Sequence, residues 1–144
     1  ENLGVMFLGG GPLENELKEQ LVKYDNTKNI KITGIIKNEL LLSYLALSDL
    51  VVIPSISEGF GNVAIEALMQ GSTILASNAG GLPEIINDKK NGFLFDSTNS
   101  NDLKQKFTSL YQNKINLSSA DLRSDFFNRF TLESQMEELI KILK

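Results

Sequence analysis

The segment of residues 49–71 constrains the fold most, because it reads as a strand, a glycine-bearing loop and a helix in direct succession. The run Asp49-Leu50-Val51-Val52-Ile53-Pro54 is typical of a short strand buried on both faces. Pro54 ends it, since proline offers no N–H to a sheet ladder. A loop with two glycines follows, and a helical pattern then runs from Asn62 to Gln70 and stops at Gly71. The segment therefore predicts an α/β unit with a helix N-terminus just beyond a strand.

The start of this helix is a candidate phosphate site, because its first N–H groups have no helical acceptor. Most of the helix is apolar, which predicts burial, but Asn62, Glu66 and Gln70 recur every four residues and so lie in one line. A carboxylate one turn above a bound phosphate can accept hydrogen bonds from sugar hydroxyls. A solvent-facing stripe has the same pattern, and Glu58 alone reads as an ordinary loop acid. The residues alone leave a nucleotide site and a plain surface helix equally open.

A longer segment, SDLVVIPSISEGFGNVAIEALMQGSTILASNAGGLPEII, resembles the C-terminal half of the family 4 retaining glycosyltransferases. The resemblance includes paired glutamates, Glu58 and Glu66, around the Glu58-Gly59-Phe60-Gly61 loop, and a second motif, Gly80-Gly81-Leu82-Pro83-Glu84. Leu8-Gly9-Gly10-Gly11-Pro12, Gly34 and Gly92-Phe93-Leu94-Phe95 also fall at landmarks of that family. The resemblance implies the GT-B architecture, with residues 1–144 as a nucleotide-sugar donor-binding domain. Its fold would be a Rossmann-like, doubly wound parallel sheet in three α/β/α layers.

The resemblance also implies an activity and a set of roles. The full-length enzyme would be a hexosyltransferase that moves a sugar from a UDP- or GDP-linked donor to an acceptor with retention of configuration, usually without a metal or other cofactor. Glu58 would contact the donor sugar and Glu66 the ribose, both as positioning groups rather than as acid or base. The amides at the helix start would hold the diphosphate. The implied donor-binding residues are Gly10, Gly34, Ile35, Ile36, Lys37, Ser55, Gly59, Phe60, Gly61, Asn62, Val63 and Glu66.

Two of these assignments carry a further expectation. The turn at residues 34–37 would pack on the nucleobase, and Lys37 stands where some guanine-preferring members carry an acid, which disfavours guanine. The triple glycine before Pro12 either approaches the donor closely or forms a plain strand-to-helix turn, and the residues alone favour the turn.

The rest of the chain alternates between strand and helix patterns. The predicted strands are 3–8, 29–35, 72–77 and an edge strand at 92–95. The predicted helices are 13–24, 37–48, a short one from Pro83, 101–112 capped by Asn101 or Ser100, 119–130, and a last one from Thr131. The last helix either packs on a partner domain, as in the family, or simply covers the core.

Composition excludes several functions. The chain has 144 residues, a net charge of −4 and no Lys/Arg-rich tract, which argues against nucleic-acid binding. It contains no cysteine and no histidine, so thiolate or imidazole chemistry is excluded. No apolar run approaches the length of a membrane span. We expect a cytoplasmic protein, and a full-length enzyme of this type often sits peripherally against a membrane.

The chain departs from the family at its start, since the resembled domain begins one strand and helix earlier. The loop after that strand carries the Arg and Lys that grip the diphosphate, and no counterpart exists here. We therefore expect a fragment without the acceptor domain, inactive alone and weak in nucleotide binding. Either Val5-Met6-Phe7 pairs directly with Val51-Val52-Ile53, or open sheet edges are satisfied by another chain, including a second copy.

Two alternatives come from other classes of protein. One is a related two-domain enzyme, such as a sugar-nucleotide epimerase, although its expected histidine is absent. The other is a nucleotide-binding or purely structural homologue that has lost the chemistry. Intact Glu58 and Glu66 favour the transferase.

Overall fold

The computed structural model describes residues 3–23 and 27–143. The chain divides into two compact units, unit 1 (residues 1–41) and unit 2 (residues 42–144). The strands are β1 Val5–Phe7, β2 Ile30–Ile32, β3 Val51–Ile53, β4 Ile74–Ser77 and β5 Phe93–Phe95. The helices are α1 Glu14–Leu21, α2 Asn38–Leu47, α3 Asn62–Gln70, α4 Leu82–Ile85, α5 Ser100–Gln112, α6 Ser119–Phe130 and α7 Leu132–Ile142, with a 3-10 turn at Thr27–Asn29.

Unit 1 contains a two-stranded parallel sheet and helix α1. The register places Phe7 of β1 opposite Ile32 of β2. Past the strands, Thr33 donates its N–H to the carbonyl of Phe7 at 3.0 Å, and Gly9 donates its N–H to the carbonyl of Gly34 at 3.1 Å. These bonds join the carboxyl ends of the two strands, so the glycine loop lies beside the segment that begins at Gly34.

Unit 2 contains a three-stranded parallel sheet in the order β3-β4-β5. The register places Ile53 opposite Ala76, and Leu75 opposite Phe93. All four residues of β4 are buried, as expected for a central strand covered on both faces. β5 is an edge strand of this sheet, which confirms the prediction for residues 92–95.

Helices cover both faces of the sheet in unit 2. Leu75 and Phe95 pack with Leu110 of α5 in one buried cluster. Ile74 and Ala76 point to the opposite face, because successive strand residues alternate, and both are fully buried. These parallel sheets with flanking helices form a Rossmann-like α/β fold, as predicted.

Helix α3 begins at Asn62 and ends at Gln70, as the sequence predicts. Gly71 terminates it in the left-handed conformation (φ 76°), which glycine adopts without a Cβ penalty. Ala64, Ala67 and Leu68 form its buried face. The expectation of burial all round is only partly met, since Val63 is 39% exposed. The helix packs through one side, and its first turn faces outward.

For Val5–Phe7, the sequence leaves two outcomes open: direct pairing with Val51–Ile53, or an open sheet edge satisfied by another chain. In the described part of the chain, β1 pairs with β2, and β3 pairs with β4. A parallel partner must be reached by a crossover connection, and the chain between β1 and β2 supplies one that contains α1.

The elements of unit 1 are shorter than predicted: β1 is Val5–Phe7 instead of 3–8, β2 is Ile30–Ile32 instead of 29–35, and α1 is Glu14–Leu21 instead of 13–24. α1 begins at Glu14, because Leu13 takes the N-cap position with non-helical angles, so Pro12 precedes the helix instead of lying in its first turn. α1 ends at Leu21, earlier than the predicted Tyr24, which itself lies outside the described residues. β2 ends at Ile32, before the predicted Ile35, because Gly34 turns the chain with φ +65° and leaves Ile35 88% exposed.

The N-cap of α5 is Asn99, and the predicted caps Ser100 and Asn101 lie inside the helix. The side-chain oxygen of Asn99 accepts from the N–H groups of Asn101 at 3.1 Å and Asp102 at 3.3 Å. The N–H of Asn99 donates to the carbonyl of Asp96 at 3.0 Å and closes a turn before the helix. This turn makes Asn99, rather than either of the two residues after it, the N-cap. The predicted 119–130 helix is confirmed as α6, with Ser118 as its cap.

Substitution N99A should lower the free energy of unfolding by about 1 kcal/mol, because two N–H groups lose their acceptor. N101A is the control, since that side chain caps nothing and alanine is a good helix former; its change should stay within about 0.5 kcal/mol. Urea unfolding followed by circular dichroism measures both. Equal losses in the two variants would contradict the assignment of the cap.

Candidate functional site

Two serines hold the loop between β3 and α3, one in the loop itself and one at the end of β4. Ser55, just after β3, donates from Oγ to Oε2 of Glu58 at 3.0 Å. Ser77, the fully buried last residue of β4, donates from Oγ to the carbonyl oxygen of Ser55 at 2.6 Å. The carboxylate of Glu58 is therefore oriented by a hydroxyl whose own backbone is tied to the neighbouring strand. Sequence reasoning missed Ser77, whose only signal is a polar residue ending an otherwise apolar strand.

The second glycine motif packs against the backbone of the same loop. Gly80 has φ +53°, and a Cβ added there would overlap the carbonyl group of Glu58. A Cβ at Gly81 would lie 2.8 Å from the carbonyl oxygen of Gly59 and 2.9 Å from that of Phe60. Their missing side chains therefore allow two protein backbones to meet.

Gly61 joins the loop to α4 in the same way. It is buried in the left-handed conformation (φ 90°), and a Cβ there would lie 2.9 Å from Cδ1 of Ile85 and 3.2 Å from Cδ2 of Leu82. A side chain at residue 61 would therefore push α4 away from the loop.

The start of α3 leaves several backbone N–H groups available to a ligand. The carbonyl of Gly61 accepts from the N–H groups of Ala64 at 2.9 Å and Ile65 at 3.3 Å. No side chain caps the helix. Within the described residues, the N–H groups of Phe60, Gly61, Asn62 and Val63 donate to no protein acceptor. Four consecutive donors at the positive end of a helix dipole suit an anion.

Glu66 lies one turn above this helix start and is half-buried. Its carboxylate has no hydrogen-bond or ion-pair partner among the residues that the structure describes. Asn62, one turn below, is exposed, and Gln70, one turn above, is half-buried. The carboxylate therefore keeps its acceptor capacity for a ligand.

An open depression of about 470 Å³ lies beside the loop in unit 2. Phe60, 64% exposed, lines it with Ile65 and Phe130. Asn62 and Glu84 add polar groups to its wall. The loop thus has an accessible side with both aromatic and polar surface.

The predicted site residues of unit 1 form a second group. A Cβ at Gly10 would lie 3.1 Å from Cγ1 of Ile35 and 3.2 Å from its backbone nitrogen, so the glycine loop contacts the predicted nucleobase segment closely. Ile36 is half-buried, and Lys37 is exposed. The carbonyl of Lys37 accepts the first helical bonds of α2, from residues 40 and 41. The close approach of the glycine loop is therefore to protein, within this unit.

The structure gathers the predicted site residues of unit 2 around one loop and helix start. These are Ser55, Glu58, Gly59, Phe60, Gly61, Asn62, Val63 and Glu66. Local sequence signals predicted this group. The residues that hold the loop in place lie elsewhere in the chain, in the second glycine motif and at the end of β4.

Comparison with known proteins identifies the protein family to which the chain belongs. Residues 1–128 match the family described as "Glycosyl transferases group 1". An uncharacterized glycosyltransferase of Methanocaldococcus jannaschii is 32% identical over 128 residues, covering 88% of this chain and 36% of that protein. The chain therefore belongs to the group 1 glycosyltransferases. It spans about a fifth to a third of the length of the first curated relatives it matches, from 21% to 36%.

Solved structures share the fold. Anabaena Alr3699/HepE, crystallised with UDP and with UDP-glucose, superposes with a TM-score of 0.81 in its UDP complex, at 21% identity, over 98% of this chain and 40% of that one. The C-terminal domain of the group 1 protein LpcC from Francisella tularensis superposes with a TM-score of 0.72 at 27% identity, covering 83% of this chain and 63% of that one. No helix in the described residues is both long and apolar enough to cross a membrane.

Substitution G80A should lower the free energy of unfolding by roughly 3 kcal/mol or more, because a Cβ overlaps the Glu58 carbonyl at a positive φ. G59A is the matched control in the partner segment. No atom lies within 4 Å of a Cβ at Gly59, so its change should stay within about 1 kcal/mol. Urea unfolding compares them, and a G80A protein as stable as G59A would refute the packing described.

Proposed function

We propose that this chain is the donor-binding domain of a family 4 retaining glycosyltransferase of the GT-B architecture. The whole protein would transfer a hexosyl group from a nucleotide sugar to an acceptor bound by an N-terminal domain. Membership of the group 1 glycosyltransferases supports the reaction class. The observation that carries the site is the run of four unoccupied backbone N–H groups flanked by Glu58 and Glu66.

The four N–H groups would bind the donor diphosphate. Negative charge grows on the diphosphate as the sugar leaves, and fixed donors at a helix N-terminus stabilise such charge without reorganising. Gly61 directs the chain into the helix without a capping side chain, so the donors at residues 60–63 are uncovered.

Glu66 would accept hydrogen bonds from the ribose hydroxyls, one helical turn above the diphosphate. Glu58 would contact the donor sugar: its Oε2 is occupied by the Ser55 hydroxyl, which leaves Oε1 for a sugar hydroxyl. Ser55 then acts through Glu58, as a positioning residue. Both glutamates hold the donor in place and transfer no proton.

In unit 1, residues 34–37 are assigned to the nucleobase. Lys37 in place of an acid favours uracil over guanine, and the Anabaena neighbour was crystallised with UDP. We propose a UDP-linked donor, no metal or other cofactor, and a cytoplasmic enzyme that contacts a membrane only peripherally. We propose that these 144 residues in isolation are inactive and bind nucleotide weakly.

The alternatives drawn from the sequence gain no support. Group 1 glycosyltransferases match along most of the chain, which does not favour an epimerase-like enzyme. A purely structural homologue has no need of two glutamates with unused acceptor capacity beside unpaired N–H groups.

Titration of the 144-residue chain with UDP, GDP and ADP, followed by two-dimensional NMR of the backbone amides, tests the proposal. We expect UDP to shift the amides of residues 59–66 and 34–37 at lower concentration than GDP or ADP. Inorganic pyrophosphate is the control for the helix start alone, and it should shift residues 60–63 only. A folded spectrum that no nucleotide shifts at these residues would refute donor binding by this chain.

Substitution E66A should weaken UDP binding roughly tenfold or more, because hydrogen bonds from two hydroxyls to a carboxylate are lost. E138A on the exposed side of α7 removes the same charge elsewhere and should bind as the unchanged chain does. Calorimetric or NMR titration at one ionic strength compares the two variants. Equal affinity of E66A and E138A for UDP would overturn the ribose assignment.

A further inference from the structure

Helix α6 holds the two helices of the candidate site by their carboxyl ends. At the end of α3, Nη2 of Arg123 donates to the carbonyl of Gln70 at 3.0 Å, and Oγ of Ser119 donates to that of Gly71 at 2.8 Å. At the end of α4, Arg129 does the same: Nη2 donates to the carbonyl of Glu84 at 2.7 Å, and Nη1 to that of Ile85 at 2.9 Å. Cationic donors suit the negative end of a helix.

Arg129 belongs to a closed polar network, which we call the Arg129 network. Asp125, one turn earlier on α6, accepts from Nη1 of Arg129 at 3.0 Å and from Nδ2 of Asn91 at 2.7 Å. Asn91 is 3% exposed, and its Nδ2 also donates to the carbonyl of Ile85 at 3.0 Å. Its Oδ1 accepts from the N–H of Asn87 at 2.6 Å. These bonds tie the carboxyl end of α4 to α6 and to Asn91.

α4 and the residues just before it contact the loop of residues 58–61 directly. Ile85 meets the position where Gly61 lacks a Cβ, and Gly81 precedes the helix in contact with the carbonyls of Gly59 and Phe60. The first contact is made by the side chain of Ile85 and the second by backbone alone, so movement of α4 displaces the loop and the helix start together.

We propose that Arg129 is a positioning residue for donor binding, acting through α4 on the loop of residues 58–61. Arg123 makes the same kind of bond, but at the end of α3 farthest from Asn62. The ligand part of this inference rests on the proposed function, whereas the effect on the loop does not. The loop carries Glu58, which is assigned to the donor sugar. Loss of the Arg129 network should therefore weaken binding of a nucleotide sugar more than binding of the nucleotide alone.

The test compares R129Q with R123Q as a matched control, since each variant removes guanidinium bonds from α6 to the end of one helix. Residue-resolved amide exchange in the ligand-free chain is the first readout. The N–H groups of Ala64 and Ile65 are bonded to Gly61, so their exchange reports on the loop. We expect R129Q to speed their exchange by roughly three- to thirtyfold, and R123Q to leave it unchanged.

Titration with UDP-glucose and with UDP is the second readout. R129Q should weaken UDP-glucose binding by roughly three- to thirtyfold and UDP binding by less, so the ratio of the two affinities falls. A general loss of stability would change both affinities alike. R129K keeps the charge but not the fork of donors, so its amide exchange and its ratio of affinities should lie between those of R129Q and the unchanged chain. If R129Q does not fold, R129K is compared with R123Q in its place.

The outcomes separate the two proposals. Unchanged exchange at Ala64 and Ile65 in R129Q, or an equal increase in R123Q, would overturn the role of Arg129. So would an unchanged ratio of affinities in an R129Q chain that binds both ligands. If the unsubstituted chain binds neither UDP-glucose nor UDP, the proposed function fails for this chain, and the exchange comparison still decides whether Arg129 positions the loop.

Discussion

The contact between two stretches of backbone, Gly80-Gly81 and Glu58-Gly59-Phe60, is the constraint on which the candidate site depends. The stretches are separated by about twenty residues of chain that include all of α3, and they meet with no side chain between them. Only glycine permits this approach, because a Cβ at either glycine would overlap or crowd a carbonyl of the loop. A loop supported by backbone has little room to move. Its free N–H groups and its glutamate are therefore fixed before any ligand arrives, which lowers the entropy lost on binding.

Hydrogen bonds from polar side chains also restrain the loop. Ser77 ties the backbone of Ser55 to the central strand, and Ser55 orients Glu58. On the other side, α6 holds α4 through the Arg129 network. The chain belongs to the group 1 glycosyltransferases, and under the proposed function the loop would hold a donor in one orientation for the sugar to reach its acceptor. Rigid support on several sides is consistent with that need.

Local signals explain which predictions were correct. The bounds of α3 were predicted exactly because an apolar run, Pro54 before the loop and Gly71 after the helix each act within a few residues. The cap of α5 was misplaced because three residues in a row can cap, and only the turn to Asp96 selects Asn99. The pairing of the strands stayed open because pairing partners are non-local: short apolar runs carry no signal that says which other strand each will join.

The sequence by itself determined the class of the fold, the strand-loop-helix unit and the family, because periodicity, glycine, proline and motif spacing are local properties of the chain. It also identified the glutamates and the helix start as a candidate site. Only the tertiary structure decided how strands pair and why the second glycine motif is needed. It also revealed the bond from Ser77 to the backbone of Ser55 and the bonds from Arg129 to the end of α4. Those facts depend on groups that meet across long separations in sequence, where the identity of one residue says nothing about which backbone lies against it.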